Sequence, residues 1–100
     1  MLLPRAALSA EGLSVVATTG MIADAATAIL GDAGTVKALM GAGVDPHSFR
    51  QTRSDIVAMT RADLTLWHGL YLEAQMEEFL TALARKNTVV AVADTLDRDR

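Results

Sequence analysis

From its amino end the chain alternates β-branched apolar runs with apolar residues at helical spacing. Residues 13–18 (LSVVAT) form a run of strand length between Gly12 and Gly20. Residues 20–30 place Ile22, Ala25, Ala26 and Ile29 at helical spacing, with Gly31 as a stop. Residues 35–40 (TVKALM) read as a second, weaker strand, and the Gly-rich loop GAGVDPHS follows. Residues 52–60 are helical in pattern, with Thr52 at the cap position and Asp55 three residues on, a variant of the capping box. Residues 63–67 (DLTLW) give a third strand. Leu72, Met76, Phe79, Leu80 and Leu83 then mark one face of a helix over about 72–85, with Glu73 expected to cap its start. Residues 88–93 (TVVAVA) form a fourth strand whose near-continuous apolar character predicts burial on both faces.

This βαβαβαβ order predicts an α/β fold, a parallel β-sheet flanked by helices with right-handed crossovers. A sheet that ends on its fourth strand leaves one apolar face partly uncovered. The chain therefore reads as one lobe of something larger, or as a minimal domain that must pair. Residues 1–12 are expected to be an N-terminal extension or a signal-peptide remnant, because MLLPRAALSA holds a Leu pair, one Arg and then small residues. Residues 13–100 are expected to be a partial lobe.

Composition narrows the function. The chain has 100 residues, 51% hydrophobic and 21% charged with a net charge of -3, which suits a small core and disfavours disorder. Nine Lys/Arg against twelve Asp/Glu, scattered along the chain, argue against nucleic-acid binding. With no cysteine, disulfides, thiolate metal sites and Cys nucleophiles are excluded. The longest apolar-leaning uncharged run stops at Asp24, short of the roughly 20 residues a bilayer span needs.

Ligands of parallel α/β sheets are met at the carboxyl ends of the strands. Both histidines fall there, in the loops after the second and third strands. His47 is the sharper metal-ligand candidate: Pro46 stiffens its loop, a preset imidazole loses less entropy on binding a cation, and imidazole suits zinc and manganese. His68 reads as a strand-end residue bonded to nearby backbone. Asp45, before a proline, reads as turn chemistry more than as an orienting partner of the ring. Trp67 and Tyr71 read as core packing, and so do Met21, Met40, Met59 and Met76.

Three segments carry a resemblance: VVATTGMIAD (15–24), GAGVDPHSFRQTRSDI (41–56) and ADLTLWHGLYLE (62–73). Together they resemble the metal-binding solute-binding proteins of ABC transporters, the cluster A-I or ZnuA/TroA/PsaA-like family. The DPH loop followed by a Thr-x-Ser-Asp helix start is the most specific of them, and the likeness runs from about Leu13 to Asp94. It implies two α/β lobes with a metal ion between them, of which this chain holds part of the N-terminal lobe. The implied function is capture of Zn²⁺ or Mn²⁺, in some members Fe²⁺, on the periplasmic or extracellular face of the cytoplasmic membrane, for delivery to an ABC-type permease. The histidine of the DPH loop, His47 here, is then a metal ligand. The remaining ligands have no counterpart in these residues.

Other classes fit less well. An enzyme with a nucleotide site would need Gly-x-Gly-x-x-Gly or a Gly-Lys-Ser/Thr phosphate loop; TTGMIAD and GAGVDP provide neither. A signalling receiver would need acidic residues after its first and third strands, where Thr18-Thr19 and His68-Gly69 stand. A non-functional truncated remnant, or a small α/β interaction domain without metal binding, stays open as the alternative.

Overall fold

A computed structural model describes residues 12–93. Four parallel strands, β1 (Leu13–Ala17), β2 (Gly34–Ala38), β3 (Leu64–Trp67) and β4 (Val89–Ala91), form one sheet in the order β2-β1-β3-β4. Three helices join them: α1 (Gly20–Leu30), α2 (Arg53–Arg61) and α3 (Glu77–Leu83), the last preceded by a 3-10 turn at Ala74–Met76. The predicted α/β class and strand-helix alternation hold. Residues 1–11 and 94–100 lie outside the described residues, and with them nearly all of the expected N-terminal extension.

Local sequence explains the helix starts. Thr19 caps α1 by accepting from the Ile22 N–H at 3.4 Å. At α2 the capping box is complete: Thr52 Oγ1 accepts from the Asp55 N–H at 3.2 Å, and Asp55 Oδ2 accepts from the Thr52 N–H at 2.9 Å. The α1 cap answers one, and the α2 box two, of the amide groups at a helix start that have no partner within the helix. At the start of the β1–β2 pair, Gly34 lies so close to β1 that a Cβ there would come within 2.6 Å of the Leu13 carbonyl oxygen.

The sheet alternates its side chains between two unequal layers. Val16 and Trp67 face α2 and α3, where they join Met40, Met59, Met76, Leu80 and Leu83 in the buried core. Val15, Leu64 and Leu66 face the other way, and there α1 packs chiefly against β2 and β1. Beside α1 an apolar groove of about 210 Å³ stays open, lined by those three residues together with Leu13, Ala26, Ile29 and Leu30.

That asymmetry corrects several expectations. Strand β4 is an edge strand, and Val90 is 42% exposed rather than buried on both faces, because α1 lies over the far side of the sheet. Ile29 and Met21 are exposed for the same reason, and α1 buries Ala23 and Ala26 instead. Met40, Met59 and Met76 are core, as their spacing predicts. Helix α3 is shorter than 72–85: residues 72 and 73 complete the turn begun by the left-handed residues 69–71, Ala74–Met76 is a 3-10 turn, and the α-helix runs only over Glu77–Leu83.

The two layers should respond differently to truncation. Leu80→Ala, at a fully buried position, should cost about 2–5 kcal/mol. Ile29→Ala, on the open face, should stay within about 0.5 kcal/mol. Urea unfolding of the two variants checks this, and equal losses would contradict the layering.

Candidate functional site

The strand order reverses at β1. From β1 the chain passes through α1 to β2 on one side; from β2 it crosses to β3 on the other. The loops leaving β1 and β3 therefore depart to opposite faces of the sheet, and a crevice opens between them at the carboxyl ends. A cavity of about 480 Å³ lies there. The turn after β1 (Thr19 to Ile22), the loop after β2 (Gly41 to Gly43 and Pro46) and the loop after β3 (His68, Leu72) all line it.

His47 stands on the second of these loops. Its side chain is 63% exposed, and its neighbour Asp45 binds it twice: Asp45 Oδ1 accepts from the His47 N–H at 2.9 Å and meets the ring Nδ1 at 3.2 Å. A carboxylate oxygen only accepts, so Nδ1 is the donor, and the neutral ring keeps its lone pair on Nε2. The Asp45 carbonyl also accepts from the Ser48 and Phe49 N–H groups at 3.2 Å, closing the turn around Pro46. Asp45 is thus both the turn residue the sequence suggests and an orienting partner of the His47 ring. Its carboxyl lies below its ordinary value of 3.8, first because of the His47 backbone N–H and then because of the ring.

His68, at the end of β3, lines the cavity half-buried. Its Nδ1 lies 3.0 Å from the Gly69 carbonyl oxygen, again an acceptor, so this ring too carries its proton on Nδ1. The bond to neighbouring backbone is the one expected of it. Beyond His68 the chain turns sharply: Gly69 (φ 88°), Leu70 (φ 53°) and Tyr71 (φ 64°) are all left-handed. For residues other than glycine that region costs on the order of 1 kcal/mol each. Tyr71, expected in the core, is 74% exposed at this turn, whereas Trp67 is core.

Glu73 departs furthest from expectation. It stands at the cap position of the 3-10 turn, but its side chain makes no cap bond there; it folds beneath the left-handed turn and is fully buried. Glu73 Oε2 accepts from Thr18 Oγ1 and from the His68 N–H, both at 2.6 Å, and Oε1 accepts from the Gly69 N–H at 3.1 Å. Thr18 is fully buried as well, and nothing near it in sequence signals a partner so far along the chain. The one local signal is an acidic residue inside an apolar helical pattern, which by itself points to a cap.

Among the described residues, no group of three or more His, Asp or Glu side chains is gathered as a metal site would require. Nor is any described helix long and apolar enough to cross a membrane.

Comparison with known proteins identifies the family. Residues 15–100 match the family model described as "ZnuA: Zinc-uptake complex component A periplasmic". The chain belongs to the ZnuA family. This agrees with the resemblance carried by the three segments, and with the extracytoplasmic location that the family description states. The chain is 40% identical over 90 residues to the "Manganese-binding lipoprotein MntA" of Bacillus subtilis, covering 90% of this chain and 29% of that protein. It is 44% identical over 89 residues to the "Zinc-binding protein TroA" of Treponema pallidum, covering 88% and 29%. The "Iron-binding protein YfeA" of Yersinia pestis is 34% identical over 85 residues, covering 85% and 27%. The solved structure of the Treponema pallidum periplasmic zinc-binding protein TroA superimposes with a TM-score of 0.80, covering 84% of this chain and 30% of that one. The chain thus spans less than a third of the length of these relatives.

Because Asp45 is exposed and its carboxyl is lowered, the loop contacts it supports should persist above the ordinary carboxylate range and be lost as pH falls through the lowered value. NMR of the Asp45 carboxyl carbon should show a midpoint below 3.8. His47→Ala keeps the backbone N–H, the larger cause, so most of the lowering should remain. A midpoint at or above 3.8 in the parent, or complete reversion in His47→Ala, would contradict this account.

Proposed function

We propose that this chain is part of the N-terminal lobe of an extracytoplasmic receptor that captures a divalent transition metal, Zn²⁺, Mn²⁺ or Fe²⁺, and hands it to an ABC-type permease. In that reading residues 13–100 belong to the lobe, and His47 is its metal ligand. The observation that carries it is the His47 ring. It stands exposed on a proline-stiffened loop beside the strand-end crevice, with Nδ1 tied to a carboxylate. Metal-bound histidines commonly use this arrangement, in which the second ring nitrogen donates to a carboxylate and the first is left as a basic donor.

The names of the relatives support the class of cargo and span all three metals, so they do not choose among them. Those names describe binding proteins, which favours transport over catalysis. The ligand count agrees with a partial site. One imidazole leaves a tetrahedral or octahedral ion with most of its shell to water, and the described residues gather no further donors around it. The rest of the shell would come from outside these residues.

The reading predicts that the 100-residue chain alone binds Zn²⁺ and Mn²⁺ more weakly than about 1 µM, and that His47→Ala removes what binding there is. Calorimetric titration of the monomer checks both points. Tighter one-to-one binding, or binding that survives the substitution, would remove His47 from its assigned role. An intact mass of the native product well above 10.6 kDa would support a two-lobed receptor over a small α/β domain without metal binding.

A further inference from the structure

We propose that Glu73 is a positioning residue of the crevice: its buried carboxylate holds the left-handed turn after β3 against the end of β1, and so fixes the wall that carries His68 and Leu72. Two independent features meet at this point. One is a fully buried carboxylate, a group that a protein interior accepts only when its oxygens are bonded. The other is three consecutive residues at positive φ, two of them not glycine, a conformation that persists only when its surroundings hold it.

The hydrogen bonds join the two features. The consecutive N–H groups of His68 and Gly69 converge on the carboxylate, at 2.6 and 3.1 Å. Such a concave pair of backbone donors is an anion-binding nest, and here the chain fills it with its own side chain. The third donor, Thr18 Oγ1 at 2.6 Å, belongs to the neighbouring strand end, 55 residues away in sequence. The backbone of Thr18 is itself part of the sheet: its N–H donates to the Leu66 carbonyl and its own carbonyl accepts from the Met40 N–H, both at 3.0 Å. The turn is thereby anchored to the centre of the sheet. All three partners present donors, so a carboxylate satisfies them together. An amide in its place would set an NH₂ group against at least one of them.

His68 is the residue whose orientation depends on this clamp. Its backbone N–H is one of the three donors, and its ring Nδ1 bonds to the carbonyl of Gly69, whose N–H is another. If the turn relaxes, the acceptor that sets the tautomer of the ring moves with it.

The test uses the 100-residue chain without metal, so its outcome is separate from that of the cargo reading. At about pH 8, where an ordinary imidazole is neutral, Glu73→Gln should speed exchange of the His68 and Gly69 amide protons by about tenfold or more, a local opening. The His68 ring ¹⁵N signals should lose their Nδ1–H pattern, with the Leu39 amide in the β1–β2 pairing and the His47 ring unchanged. Thr18→Val should give a smaller effect at the same two amides, and Thr18→Ser should behave as the parent. Exchange that rises equally at Leu39 would mean Glu73 contributes only general stability and would overturn the proposal, as would unchanged amides at 68 and 69. If Glu73→Gln does not fold, Thr18→Val decides by the same two readings.

Discussion

The bond between Thr18 and Glu73 ties together two loops that the topology drives apart. With β1 between β2 and β3, the chain leaves β1 toward one face and leaves β3 toward the other. A crevice is the geometric consequence, and the buried polar groups at the strand ends beside it need partners. Thr18 Oγ1, the His68 N–H and the Gly69 N–H provide three donors there, and one carboxylate meets all three. Beside this clamp the cavity takes its walls from the loops after β1, β2 and β3. His47 stands on the loop after β2, its ring exposed and its Nδ1 held by Asp45.

The two faces of the sheet are not equivalent. One is sealed by α2 and α3 over a core of Val16, Trp67, Leu80 and three methionines. Among the described residues the other is covered mainly by α1, displaced toward β2, and Leu64, Leu66 and Ile29 border an open apolar groove. Burial of apolar area is the main favourable term in folding, and the core layer therefore carries most of what the hydrophobic effect contributes in the described residues.

Much of this was legible in the residues. Alternation of β-branched runs with helical spacing placed all four strands and three helices, because side-chain periodicity reports directly which face each residue presents. Thr52 and Asp55 announced the start of α2, since a capping box is satisfied within four residues and needs nothing from the rest of the chain. The DPH loop likewise predicted a stiff, presented histidine from neighbouring residues alone, although its Asp45 proved to hold the ring as well as the turn.

What failed depended on partners distant in sequence. Apolar spacing marked Ile29, Met21 and Val90 as buried, but burial requires a covering layer, and only the packing of α1 showed where that layer ends. Glu73 read as a cap because its local pattern offers a helix to cap; its true donors include a hydroxyl 55 residues earlier. Tyr71 read as core until the left-handed turn, held by that same carboxylate, carried it to the surface. The sequence by itself determined the elements, their caps and the presented histidine, all set by interactions within a few residues. Only the tertiary structure decided which sheet face is covered and what Glu73 binds, because both follow from groups that meet only once the strands are ordered.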